Sequence, residues 1–195
     1  MSRWVLRGAL IAGAISLPSA VAMAHMTPPI TLVSDQDAVN QLLPGTAQVV
    51  VRELALTDAN RRQIRERADW TPDAHAYRFH ESYDTQGHLI GSVFFVSEPT
   101  MHNPIRLAIA FEPNGRLVAA KVVEASDETL RWLQPLLDRN FLQDIAQKTS
   151  HDELVLSSRV DSAGLGSMSR FYANVILRAV HRSAVLYDVT HASSP

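Results

Sequence analysis

From Ile105 to Val123 the chain alternates, turns and alternates again, and this unit limits the fold more than any other stretch. Leu107, Ile109 and Phe111 recur at every second position, Glu112-Pro113-Asn114-Gly115 interrupts the run, and Leu117 to Val123 resumes it. Asn-Gly favours the positive φ angles of a tight β-turn, and period-two alternation marks a strand with one buried face. The pattern predicts an antiparallel hairpin. Two strand-like runs precede it, Ala76 to Tyr83 and Leu89 to Val96, joined by a turn at Asp84 to Gly87. In the first, Tyr77, Phe79 and Glu81 share a face. Gln48 to Leu54 reads as a further extended segment. Strands joined by such short turns build an antiparallel sheet.

Helical segments surround these strands. Ser34-Asp35 caps a short helix reaching Leu43, where Pro44-Gly45 stops it. Thr57-Asp58 starts a second helix running to about Asp69. Its apolar residues are few (Ile64, Ala68), so it is expected on the surface, with Arg61, Arg62, Arg65 and Arg67 as a solvated face. Ser126-Asp127-Glu128-Thr129 opens a helical stretch to about Gln147, which Pro135 should kink or split. Last comes a long helix from Ser167 to about Asp188, with apolar residues at Met168, Phe171, Tyr172, Val175, Ile176, Ala179 and Val180. The expected fold class is α+β: an antiparallel sheet flanked by helices, the C-terminal helix packed on the sheet. Residues after Val189 read as a loose tail.

Composition narrows the chemistry. The 195-residue chain carries a formal net charge of −2 and no cysteine. Disulfides, cysteine-ligated clusters and thiol catalysis are thereby excluded. A mildly acidic domain is a poor partner for nucleic acid. Residues 1–24 read as a signal peptide: Arg3 and Arg7, an apolar run from Gly8 to Leu17, then Ala22-Met23-Ala24. The run is shorter than the roughly 20 residues of a membrane span. The mature chain, residues 25–195, is expected to be one exported domain with its core between about 76 and 188, most simply in a bacterial periplasm.

The richest chemical signal is Asp161-Ser162-Ala163-Gly164-Leu165-Gly166-Ser167 at the head of the terminal helix. A helix start offers unpaired N–H groups and the positive end of a dipole, which suits a phosphate. Gly164 and Gly166 let backbone approach such a ligand. The plainer alternative makes Ser167 an N-cap and the glycines turn formers. Cleavage after Ala24 would leave an N-terminal His25, which with a second histidine (His75, His80, His88, His102 or His151) suits copper. A Ser167, Asp161, His151 triad lacks the usual nucleophile elbow. Glu124, Asp127 and Glu128 are accounted for by their place at a helix start.

Taken in order, these features resemble the exported FMN-binding domain family, relatives of the flavin-carrying subunits of membrane redox complexes. The resemblance rests on Leu43-Pro44-Gly45, Leu56-Thr57-Asp58, the hairpin around Gly87 to Gly91, the Asn114-Gly115 turn leading to Glu128-Thr129, and the Asp161 to Ser167 bend. It implies FMN as cofactor, Ser167 as the hydroxyl esterified to the flavin phosphate, and Asp161 as part of the sequence read by a flavin transferase. Gly164, Gly166, Glu128 and Thr129 would complete the cofactor site. A periplasmic or membrane redox partner follows from the same resemblance, as does an electron-carrying rather than catalytic role. The chain departs from the family pattern in two places. Gly164, Leu165 and Gly166 replace Ser or Thr, Gly and Ala, and Leu130-Arg131-Trp132-Leu133 replaces a glycine-rich turn beside the flavin ring. Trp132 either fills that space or stacks on the ring. A flavin-free relative, acting as a binding or scaffold module, is the alternative.

Overall fold

A computed structural model describes residues 28–74, 76–161 and 164–191. Residues 1–27, which include the expected signal peptide and His25, lie outside the described residues, as do His75, Ser162, Ala163 and the last four residues.

The predicted strands pair as one antiparallel sheet, the last four joined by turns or short connections and the strand before them joined to its neighbour through a helix. Its members are β1 (Pro29–Thr31), β2 (Gln48–Ala55), β3 (Ala76–Tyr83), β4 (Leu89–Glu98), β5 (Ile105–Phe111) and β6 (Leu117–Ser126), in the spatial order β1-β6-β5-β4-β3-β2. From β2 to β6 every neighbour in space is a neighbour in sequence. The β5–β6 hairpin turns at Gly115 with φ +85°, and Gly115 N–H donates to the Glu112 carbonyl at 2.9 Å. Phe79 faces Phe94 across β3 and β4, and Phe94 faces Ile109 across β4 and β5. These cross-strand pairs set the register of the face that is most deeply buried.

Short β1 is absent from the sequence reading. Three residues cannot display a period, and this strand exists only because Pro29, Ile30 and Thr31 pair with Ser126, Ala125 and Glu124.

Helices cover both faces of the sheet. On one side α1 (Asp35–Leu42), capped by Ser34, buries Ala38, Val39 and Leu42 against Val93, Ala108 and Ala110. On the other side lie α2 (Asp58–Ala68), α3 (Asp127–Leu137) and the 25-residue α5 (Ser167–His191). A four-residue helix, α4 (Ser158–Asp161), precedes α5. The predicted α+β class, with its terminal helix against the sheet, is the observed one: Tyr187 stacks on Phe111 of β5 with ring centroids 4.5 Å apart.

Three expectations need correction. First, α2 is not a purely surface helix. Ile64 is fully buried, and Asn60 donates to the Val189 carbonyl of α5 at 3.2 Å. Arg61 donates to the carbonyls of Pro72 and Ala74, and Arg67 pairs with Asp188 at 2.7 Å, leaving Arg62 and Arg65 exposed. A single isoleucine at the contact suffices because polar side chains at the helix edges bond the elements below. Second, the stretch after Ser126 is split as expected, but the break falls after Leu137 rather than at Pro135. Proline sits in the last turn of α3, and Asn140 then takes a left-handed conformation (φ 49°) before a 3₁₀ turn at Phe141–Ile145. Third, α5 reaches His191, and its buried stripe runs through Ser169, Tyr172, Ala173, Ile176 and Val180. Phe171 falls outside that stripe and is 38% exposed.

Candidate functional site

Residues predicted from two separate parts of the sequence meet at one end of the molecule. The first part is the start of α3. Ser126 caps that helix by accepting the Thr129 N–H at 3.2 Å. The hydroxyls of Ser126 and Thr129, 2.9 Å apart, both reach the carbonyl of His102, at 3.0 and 3.1 Å. Thr129 is fully buried, and its hydroxyl is committed to the fold rather than offered to a ligand. Glu128 is exposed beside it, with Oε1 3.8 Å from His102 Nε2.

From His102 a run of rings leads to the second part. The His102 ring lies 4.6 Å from Trp132, and its Nδ1 shares a 2.9 Å hydrogen bond with the Tyr172 hydroxyl. Trp132 stacks on Tyr172 with centroids 5.6 Å apart and planes 11° from parallel. Phe171 meets Tyr172 edge-on at 5.3 Å. On a helix, residues four apart share a face, so exposed Phe171 stands one turn above Ser167. Glu128 and Ser167 are therefore the two ends of one aromatic run.

The bend before α5 is open where it counts. Ser167 is exposed and is the first residue of α5, while the Gly166 carbonyl accepts the first intrahelical bond from Arg170 N–H at 3.1 Å. The cap position thus belongs to Gly166, not to Ser167 as the plainer sequence reading had it. Gly164 has φ +72°, the left-handed region that favours glycine, and among the described residues neither glycine meets an atom within 4 Å of where a Cβ would stand. Leu165 between them is 5% exposed and anchors the bend in the core. Asp161 closes it from outside through a 2.5 Å contact with Arg170 Nε. Acceptor hydroxyl, open backbone and first-turn N–H groups share one spot, an arrangement fitted to a phosphoryl group.

Other sequence-derived sets do not assemble. Asp161 is engaged by Arg170 and His151 faces Asp188 at 3.8 Å, so no Ser167, His151, Asp161 relay forms. His25 and His75 lie outside the described residues, among which no group of three or more His, Asp or Glu side chains is placed to hold a metal ion. Glu124 pairs with Arg106 at 3.3 Å and Asp127 with Arg131 at 3.7 Å, in keeping with structural roles.

Sequence reasoning missed the coupling of His102 to Tyr172. The two are 70 residues apart, one in a loop and one on a helix, and no spacing signals their meeting. Two cavities lie elsewhere. A cavity of about 370 Å³ runs along β6 between Leu42 and Phe141, and another of about 190 Å³ sits beside Trp70. Among the described residues no helix is long and apolar enough to cross a membrane. Comparison of the chain with family models finds no match, and neither does comparison with curated proteins or with solved structures.

Proposed function

We propose that this chain is an exported, FMN-binding-like electron relay whose flavin phosphate is attached or held at Ser167. One observation carries the reading. The aromatic run from Phe171 to His102 joins the Ser167 turn to the Glu128-Thr129 cap, two sets that the family resemblance alone had grouped.

The phosphate end fits. Ser167 presents its hydroxyl to solvent, the glycines leave room, and the first turn of α5 supplies N–H donors and the favourable end of the helix dipole. FMN, when bound, supplies the electron-transfer chemistry that a chain without cysteine lacks. The protein's part is to hold and tune. Phe171 offers an exposed ring near the attachment point, Trp132 a partly exposed one, and Glu128 an anionic charge at the far end of the run. Residues 1–24 would direct export, placing the relay in the periplasm beside a soluble or membrane redox partner.

Co-expression with a flavin transferase tests the attachment. A denaturing gel under ultraviolet light should show a fluorescent band that vanishes in Ser167→Ala. A colourless protein that also fails to bind added FMN would overturn the proposal.

A second reading is favoured by Trp132. It packs flat on Tyr172 where the resemblance expects a glycine-rich turn, and the buried Thr129 hydroxyl is committed to the His102 carbonyl. In that reading the chain is a flavin-free relative, a binding or scaffold module for a periplasmic or membrane partner. Retention of a partner on the immobilised colourless protein, lost when exposed Phe171 is changed to Ser, would support it.

A further inference from the structure

The two outer edges of the sheet differ in how they are protected. At the β6 side, short β1 covers Glu124 to Ser126 and begins with Pro29, which has no N–H to offer. Further along, the Leu117 N–H donates to the Lys148 carbonyl, and the Leu117 carbonyl accepts from Gln147, each at 2.8 Å. The β5–β6 pairing also shifts register twice, at Arg106/Leu107 and Ala110/Phe111. Short strands, proline and such irregularities keep a sheet edge from pairing with another chain.

The β2 edge has none of these devices. β2 is eight residues long, contains neither proline nor lysine, and pairs with β3 from Gln48 opposite Tyr83 to Ala55 opposite Ala76 without a shift. Among the described residues no backbone hydrogen bond reaches its outer side. Its two charged side chains are engaged by β3, Arg52 by Glu81 at 2.5 Å and Glu53 by Arg78 at 2.9 Å. Val50 and Val51, on opposite faces, are left exposed, Val51 to 54%. A long, regular edge with uncovered valines is a template for another strand.

We propose that two copies of this chain pair through β2, antiparallel about a two-fold axis normal to the sheet at Val51. One open edge per copy closes on itself in such a dimer, and the guarded β6 edges stop further growth. The register follows from the strand itself. Directly opposed residues of an antiparallel pair lie on the same face, so the axis must pass through a residue. At Arg52 or Glu53 it would set like charges against each other. At Val51 it pairs residues 48–54, whereas at Val50 it reaches only residues 48–52 of the strand. The two Val51 side chains then meet on the axis, and Val50 lies along the aliphatic stem of Arg52 of the second copy. The inference does not depend on the flavin reading, since none of these residues belongs to the Ser167 site.

Sedimentation equilibrium of the purified protein tests the pairing. A reversible monomer–dimer equilibrium is expected, because one strand pair is a smaller contact than the roughly 1,200–2,000 Å² of stable interfaces. Val51 is exposed, so Val51→Lys should fold normally, with an unchanged far-ultraviolet circular dichroism spectrum. By opposing two ammonium groups on the axis it should weaken the dimer at least about tenfold. Val155→Lys, at a similarly exposed valine outside the sheet, should leave the dimer intact. The chain has no cysteine, so a single introduced thiol reports on its own counterpart. Under mild oxidation Val51→Cys should cross-link into a covalent dimer. Val50→Cys should not, because thiols whose Cα atoms are more than about 7 Å apart cannot be bridged. A monomer at every concentration, a dimer that survives Val51→Lys, assembly beyond the dimer, or cross-linking that favours Val50→Cys would each overturn the proposal.

Discussion

The imidazole of His102 and the hydroxyl of Tyr172 lie 2.9 Å apart, tying the loop before β5 to the first turns of the terminal helix. Around this contact the start of α3, the rings of Trp132 and Phe171, and the Ser167 bend form one continuous surface.

Tyr172→Phe keeps the ring stacked on Trp132 but removes the bond to His102. Tyr172 is fully buried, while the His102 side chain keeps 26% exposure. Loss of about 1–2 kcal/mol is expected from urea unfolding. The His102 ring signals should also move in NMR spectra, whereas unchanged His102 signals would count against the coupling.

Gly91 is required by contact rather than by φ. A Cβ there would stand 2.5 Å from the Phe111 carbonyl oxygen and 2.9 Å from a Leu43 methyl. The carbonyl belongs to the β4–β5 ladder and cannot retreat without distorting it. Gly91→Ala should cost about 1–3 kcal/mol in denaturant unfolding, while Gly87→Ala should be felt through its φ of +81° instead.

Stability should fall on mild acidification. Burial is the leading cause that holds His80, His181 and His191 below their ordinary value of 6.5. The unfolded chain therefore takes up protons first as pH drops. Stability is intact above 6.5 and declines as pH falls from there through the depressed values. Thermal melts should show a lower Tm at pH 5.5 than at pH 7.5, and His181→Gln should flatten the slope. A pH-independent Tm over that range would contradict the burial of these rings.

If FMN is carried at Ser167, Glu128 tunes it. Removing a negative charge near the ring makes reduction easier, so the midpoint potential of Glu128→Gln should rise. Glu128 is about half exposed, at 49% of its side chain, and screening limits the rise to tens of millivolts or less. A potentiometric titration of the flavin-loaded protein decides this, and no change at low salt would remove Glu128 from the site.

Much of the fold was legible before any coordinates because its pairings are local. Ile105–Phe111 is the predicted strand to the residue, and Ser34, Thr57 and Ser126 cap the helices they announce. The end of α3 was less legible, since Pro135 is a loud signal but the break depends on Asn140 and on where Phe141 finds the core. Of the candidate site, Ser167, Gly164 and Gly166 stand open as the bend suggested, whereas Thr129 turned inward. That choice rests on the His102 carbonyl, a neighbour supplied by another part of the chain.

Amphipathic periods, turn residues and caps are properties of a few consecutive residues, so the chain alone determined strands β2 to β6 and most of its helices. The side of the sheet each helix covers, the burial of Ile64 under a polar helix and the meeting of His102, Trp132 and Tyr172 were decided in three dimensions. Contacts between distant segments form only when their apolar faces leave water together, and no local pattern encodes which face will meet which.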